Sequence, residues 1–248
     1  MKKALFKILS NEPIAKDVYK LVLEGDTGGI TAPGQFVNIE LEGFFLRRPI
    51  SVCDWDDKGM TLIYKTVGKG TKCLSEKKSG TLDLLTGLGN GFDLSKCGKR
   101  PLLVGGGVGT PPLYGLCKRL VERGAASAVV LGFNTADDVF YEEEFRALGV
   151  KTLVATVDGS YGIGGLVTDA IKTLPVGFDS YCACGPEPML KAVYSEVYEK
   201  DGVSGQMSFE ERMGCGFGAC MGCSTKTRNG YKRICKEGPV LRTEEIIW

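Results

Sequence analysis

A β-barrel followed by a doubly wound parallel α/β sheet and a small cysteine-rich module is the fold class that the sequence predicts, on three observations. Residues 1–98 hold short apolar–polar alternations separated by turn residues, with no 3.6-residue period between them. Residues 99–205 alternate strand-like and helix-like stretches, beginning at a glycine-rich turn. Residues 206–248 carry four of the ten cysteines, three of them within nine positions.

At 248 residues with 43% apolar side chains, the chain can fill the cores that such a three-part division needs. The 31 basic and 30 acidic residues leave a formal charge of +1, which gives no electrostatic footprint for nucleic acid or an anionic membrane. Histidine is absent, and this excludes Ser-His-Asp and Cys-His catalysis, His-ligated zinc and haem, and Rieske centres. Cofactor redox chemistry is the natural role that remains. The opening MKKALFKILS alternates rather than forming a long apolar run, so it reads as a first strand and not as a leader peptide. No run approaches the eighteen apolar residues of a membrane span, and a cytoplasmic protein is expected. The ten cysteines then read as reduced thiols. Cys53, Cys73, Cys97 and Cys117 lack ligand spacing and read as small buried hydrophobes.

In the first part, strands are expected at residues 4–9, 18–24, 35–41, 50–55, 60–67 and 81–85, set apart by clusters of Gly, Pro and Asp. Arg47-Arg48-Pro49-Ile50-Ser51 places a guanidinium beside a rigid proline, with a hydroxyl able to reach the same ligand. Residues 63–71, IYKTVGKGT, run from a strand into a glycine-flanked turn whose amides, with the Thr71 hydroxyl, could hold a pyrophosphate. A rim arginine and an ordinary hairpin turn account for the same residues. In the second part an apolar strand, residues 101–104, feeds GGGVGT at 105–110 and then a helix with proline in its first turn. Pro112 stands where a dinucleotide fingerprint has its third small residue, so the alternating pattern carries more weight than the motif. Such sheets bind ligands beyond the carboxyl ends of their strands, where Gly107, Gly109 and Thr110 meet the loop of Cys184 and Gly185. The glycines would admit the pyrophosphate of a nicotinamide nucleotide, with Cys184 and Gly185 near its ring. Asn134 and Thr135 follow the second strand of this part, and neither settles NADH against NADPH.

Cys215-GFGA-Cys220-MG-Cys223 with Cys235 beyond it has the C-x4-C-x2-C spacing of a plant-type [2Fe–2S] cluster. The small residues between allow a tight wrap and let amides approach the sulfurs. A structural zinc site is the alternative, though it ordinarily uses two C-x2-4-C knuckles and only Cys220 and Cys223 form one here.

With these residues in place, the chain resembles the ferredoxin–NADP reductase superfamily over residues 1 to about 205, through RRPIS, YKTVGKGT, LVGGGVGTPPL and CGPEPM in that order. The resemblance implies a flavin-binding barrel in which Arg48, Pro49, Ile50, Ser51, Ile63, Tyr64, Lys65, Gly70 and Thr71 hold FAD. With the cysteine loop included, the whole chain resembles the electron-transfer subunits of B-type dihydroorotate dehydrogenases. That implies a partner, an FMN-containing catalytic subunit that oxidises dihydroorotate to orotate in pyrimidine biosynthesis, in a heterotetramer of two plus two. Electrons would pass through the [2Fe–2S] cluster held by Cys215, Cys220, Cys223 and Cys235 to FAD, and hydride from FAD to NAD+. Hydride transfer needs placement and no acid-base residue, so no side chain is assigned as catalytic. Two other readings share the layout: the small subunit of an NADH-dependent ferredoxin:NADP oxidoreductase or sulfide dehydrogenase, and a non-catalytic nucleotide-binding module with structural zinc.

Overall fold

The computed structural model describes residues 1–175 and 177–248. Six antiparallel strands, β1 (Lys2–Ala15), β2 (Val18–Glu24), β3 (Phe36–Ile39), β4 (Arg48–Trp55), β5 (Gly59–Lys65) and β6 (Thr81–Leu88), close into a barrel with neighbours in the order β1–β2–β5–β4–β3–β6. Period-two patterning decides which side chains fill it: Leu82 and Leu84 of β6 point inward against Phe6, Leu21 and Leu62. The expected irregular turn after β5 instead opens a short helix, α1 (Lys69–Ser75). Its fully buried Leu74 joins the barrel core. Two turns with one such apolar anchor are too short to show a helical period in sequence.

The second part is a seven-stranded sheet, made of β7 (Pro101–Gly106), β8 (Ala128–Phe133), β9 (Lys151–Thr156), β10 (Ile163–Gly164), β11 (Ser180–Cys184), β12 (Gly205–Ser208) and a last strand, Val240–Arg242. Helices α2 (Thr110–Glu122), α3 (Glu142–Ala147), α4 (Val167–Lys172) and α5 (Glu187–Val193) alternate with its strands. The strand order is β10–β9–β8–β7–β11–β12 and then the last strand, all parallel except for that last, antiparallel pairing. Both faces of β7 are covered, which is why it reads as an unbroken apolar run: Leu102 and Val104 meet one core with Val167 and Leu190, Leu103 the other with Leu113 and Leu116.

The cysteine loop is followed by a hairpin, β13 (Ser224–Thr227) and β14 (Gly230–Arg233), and then by that last strand, β15 (Val240–Arg242). Because β15 pairs with β12, Ser208 opposite Val240, the cysteine-bearing segment leaves the sheet and returns to it. Its attachment to the rest is therefore structural at both ends. Asn90 exchanges hydrogen bonds with the Val240 main chain (2.7 and 3.1 Å). The barrel and sheet meet where α2 lies on β4: Lys118 Nζ is 2.7 Å from Asp54, and Arg119 stacks 3.5 Å over the Trp55 ring. All ten cysteines are free thiols. Of the four scattered ones Cys53 and Cys117 are buried, whereas Cys73 and Cys97 are only half-buried, against the expectation of uniform burial. Among the described residues no helix is long and apolar enough to cross a membrane.

Candidate functional site

Three places in the structure gather the residues singled out above. In the cysteine loop, Gly216 and Gly218 adopt φ of +77° and +92°, which coils the chain so that its amides face sulfur. Ala219 and Cys220 N–H groups donate to Cys215 Sγ (3.2 and 3.4 Å), and Cys235 N–H donates to Cys223 Sγ (3.4 Å). Burial opposes ionisation of Cys215, but the amides of Cys220, Phe217 and Ala219 outweigh it and pull the thiol down to about 6. Burial and the adjacent Cys223 thiol push Cys235 up to about 12. Among the described residues no three metal-binding groups converge on one point. Main-chain N–H contacts to sulfur instead link the cysteines two by two, Cys215 with Cys220 and Cys223 with Cys235, a grouping that suits a two-iron core with two thiolates on each iron. Arg233 Nη1 secures the loop by donating to the Gly218 carbonyl at 2.6 Å.

At the barrel rim the two neighbouring arginines part company. Arg47 is a structural staple that donates to the Asp83 carboxylate at 2.8 Å and to the carbonyls of Asn38 and Asp83. Arg48 lies over the Phe44 ring at 4.8 Å, with its guanidinium against Gly70; a Cβ there would come within 2.8 Å of Cζ. RRPIS and the glycine turn therefore converge through space. Register sets the next residues: Pro49 opposes Asn38 and Ser51 opposes Phe36. Asn38 Nδ2 donates to the Cys215 carbonyl at 3.4 Å, and Phe36 packs in one core with Cys223 and Cys235. Ser51 and Pro49 thus belong to the barrel wall that meets the cysteine loop, while Ile50 opposes Val37 and packs toward the interior. The buried Oδ1 of Asn38 has no partner among the described residues, an unmet acceptor on the same wall.

Four expected residues are placed otherwise. The Tyr64 phenol points into the barrel and donates to Asn11 Oδ1 at 3.0 Å, because strand alternation sends it opposite to its neighbours, so only its main chain can reach a rim ligand. The Thr71 hydroxyl is engaged in its own turn, accepting from Val67 N–H (3.0 Å) and donating to Gly68 O (3.2 Å). Ile63 is buried between barrel and sheet. Lys65 instead reaches the nucleotide cleft, 3.5 Å from Asp138 Oδ1.

That cleft is a cavity of about 370 Å3 at the carboxyl ends of β7, β8 and β9. Gly107 lines it with φ +50° and open space where a Cβ would stand. Gly109 has the opposite surroundings, since a Cβ on it would press into the Cys184 carbonyl and come within 2.6 Å of Gly185 N. The two loops expected to share a crevice are in main-chain contact. Thr110 Oγ1 is fully buried behind the turn without a partner among the described residues. Cys184 is pushed up to about 12 by burial, so it stands as a neutral thiol. Gly185 borders a second cavity of about 390 Å3 on the side of the C-terminal module, lined also by Phe209, Glu210 and Trp248. Asn134, placed after the second strand by sequence, does line the cleft, whereas sequence reasoning missed the walls at Asp138, Leu166 and Thr168. The strand-end rule points to 132–134 and 165–168, but neither stretch carries a motif.

A closed barrel with an arginine at its rim, a parallel sheet with a glycine turn, and a cysteine loop that leaves the sheet, contacts the barrel at Asn38 and returns are the arrangement expected of a reductase that couples a nucleotide to an iron-sulfur centre. Residues 103–195 match the oxidoreductase NAD-binding domain, and residues 210–247 match the iron-sulfur cluster binding domain of dihydroorotate dehydrogenase B. The electron transfer subunit of dihydroorotate dehydrogenase B (NAD(+)) from Geobacillus sp. (strain WCH70) is 46% identical over 100% of this chain and 99% of its own length. The subunit of the same name from Bacillus pumilus (strain SAFR-032) is 45% identical over 99% and 98%. The chain belongs to this family of dihydroorotate dehydrogenase B electron transfer subunits. Among solved structures, the NADH-dependent reduced ferredoxin-NADP oxidoreductase studied for flavin-based electron bifurcation superposes with a TM-score of 0.89 at 34% identity, over 98% of this chain and 90% of that one. A ferredoxin NADP+ reductase from Neisseria gonorrhoeae, with bound FAD and NADP, gives 0.68 at 16% identity over 80% and 92%, a likeness of fold.

Proposed function

We propose that this chain is the electron-transfer subunit of an NAD-linked dihydroorotate dehydrogenase, carrying electrons from an FMN-containing catalytic subunit to NAD+. When bound, FAD exchanges hydride with the nicotinamide and single electrons with the iron-sulfur centre, which is why one chain needs all three sites. The observation that carries the reading is the contact of Asn38, on the barrel wall, with the main chain of Cys215. It holds the cysteine loop against the wall that includes Pro49 and Ser51, which supports electron exchange between the two redox sites over a short, constrained separation.

In this reading Arg48 and the Gly70 turn hold the flavin, with Ser51 and the main chain of Ile63, Tyr64 and Lys65 completing its seat. Gly107, Gly109 and Thr110 seat the dinucleotide, and Cys184 with Gly185 borders its nicotinamide as an uncharged wall. Cys215, Cys220, Cys223 and Cys235 hold the [2Fe–2S] cluster, with amides already aimed at three of the sulfurs. Cys220 is exposed and Cys235 buried, so the cluster has one side toward solvent, where the partner would dock, and one toward the protein. A cytoplasmic assembly of two such chains with two catalytic subunits completes the proposal.

The 0.89 superposition on a ferredoxin-NADP oxidoreductase supports a second reading, in which the same relay serves a larger flavoprotein. Co-expression with a candidate FMN subunit separates them. The purified pair, titrated anaerobically with dihydroorotate while visible and EPR spectra are recorded, should show flavin bleaching and a reduced-cluster signal, and the chain alone neither. If dihydroorotate reduces nothing in a stable pair, the dihydroorotate reading fails.

A further inference from the structure

Outside the redox sites, one pair of side chains has a chemistry that the relay does not use. Cys97 follows a single helical turn (Leu94–Lys96) in the segment that joins the barrel to the sheet, and its Sγ lies 3.6 Å from Sγ of Cys182 in the middle of β11. Cys97 is half-buried and reachable; Cys182 is fully enclosed.

The contact is held by a frame. On one side Gln206 brackets Asp93, accepting from its N–H at 2.8 Å and donating to its carbonyl at 3.0 Å. On the other, Gly98 N–H donates to Ser180 Oγ (2.8 Å) and Lys99 N–H to the Asp179 carboxylate (2.7 Å). The connector is thus pinned to β11 and β12 on both flanks of Cys97, and the thiols meet because the main chain is fixed.

We infer that Cys97 and Cys182 form an oxidisable thiol pair, in which Cys97 is the entry point for a low-molecular-weight disulfide and Cys182 the resolving thiol. Cys97 thiolate attacks one sulfur of RSSR, forming a mixed disulfide and releasing RS−. Cys182 then loses its proton and attacks Cys97 Sγ, releasing the second RS−. The balance is two protein thiols and one RSSR giving one protein disulfide and two RSH. Closing 3.6 Å to a bond of about 2.0 Å needs a shift of about 1.6 Å, shared between two side chains. The order of attack follows from the surroundings: a hydrogen bond from Cys182 favours the thiolate at Cys97, while the same contact and full burial hold Cys182 protonated. The product would tie the inter-domain connector to the strand that ends at Cys184 and Gly185.

The test uses the full, cluster-loaded chain incubated anaerobically with oxidised glutathione, then analysed by intact mass and peptide mapping. The expected result is a loss of two hydrogen masses, a crosslinked peptide pair containing Cys97 and Cys182, and no retained glutathione. Cys182→Ser should trap glutathione on Cys97, and Cys97→Ser should leave Cys182 unmodified. Glutathione retained on Cys97 of the wild-type chain, no reaction at either thiol, or a crosslink to a different cysteine would each overturn the inference. Should either variant fail to fold, the wild-type map alone decides it.

Discussion

Gly109→Ala isolates the main-chain contact on which the nucleotide cleft depends. Gly109 has an ordinary φ of −79°, so alanine brings no backbone strain; the whole effect is steric. The new Cβ would stand 2.6 Å from Gly185 N and closer still to the Cys184 carbonyl, against an ordinary contact of 3.4 Å. Clearing Gly185 N alone takes a retreat of about 0.8 Å and clearing the Cys184 carbonyl takes more, and because the obstacles are main-chain atoms no side chain can rotate away. Overpacking of this kind costs about 1–3 kcal/mol. If that cost falls on the competent cleft, NAD+ binding weakens roughly 5- to 150-fold at about 1.4 kcal/mol per decade. Calorimetric titration of the cluster- and flavin-loaded chain with NAD+ measures it without turnover. Gly107→Ala is the contrasting variant: its Cβ meets no protein atom but enters the cleft, at φ +50°. It should lose NAD+ affinity while its folded stability falls by only about 1–2 kcal/mol, the cost of a left-handed alanine. A Gly109→Ala chain that binds NAD+ as tightly as the wild type would refute the reasoning.

Arg48→Ala removes the guanidinium beside Gly70 and should weaken FAD retention roughly 10- to 100-fold, the worth of about 1.5–3 kcal/mol for a charged hydrogen bond, read as FAD fluorescence released on dialysis; unchanged retention would take Arg48 out of the flavin site. Asp138→Ala leaves Lys65 as an unopposed cation in the cleft, and the ratio of kcat/KM for NADPH to that for NADH should rise by about tenfold, or about 1.4 kcal/mol, with no change counting against a discriminating role. Burial works against ionisation of Asp83, but hydrogen bonds from Lys3 and Arg47 outweigh it and hold its pKa below 3.8. Its contribution is therefore present above pH 3.8 and lost as the pH falls through the lower folded value, so the gap in urea midpoint between wild type and Asp83→Asn should shrink on acidification; a gap that widens would contradict the assignment. Cys235→Ser should lower thermal stability as well as abolish the EPR signal, whereas Cys220→Ser should alter the signal with the fold intact; equal melting losses in both would mean that their burial does not differ as described.

The elements legible in sequence were those whose periodicity repeats. All six barrel strands announce themselves by alternation, and the parallel sheet by apolar runs flanked by helices. Helix α1 was hidden because seven residues give too few turns for a period, and because its opening glycines read equally well as a loop. Tyr64 shows a different limit. Its place in a motif said that its residue lies at the rim, but only the inward phase of β5 tells that its hydroxyl belongs to Asn11. Asp138 was invisible for the opposite reason. It sits in an irregular segment after β8, brought to the cleft by a single turn (Ala136–Asp138) that no pattern marks. Residue types and spacing thus singled out the candidate cysteines, while side-chain direction had to come from the fold.

The return of β15 to the sheet bears on why such a loop can serve a relay at all. On the proposed ligation, four cysteines on an appended knob would let the cluster wander relative to the flavin, and electron exchange would then depend on rare encounters. Here Cys223 and Cys235 pack in the same core as Phe36 of the barrel and Tyr181 and Leu241 of the sheet. The inner half of the loop is therefore placed by the same burial that folds both larger parts, and it cannot shift without opening that core. The outer half, with Cys220 exposed and Phe217 and Met221 partly bare, makes few such demands and is free to meet another surface. In the proposed relay, rigidity toward the flavin and accessibility toward a partner both follow from one structural feature, the unequal burial of the two cysteine pairs.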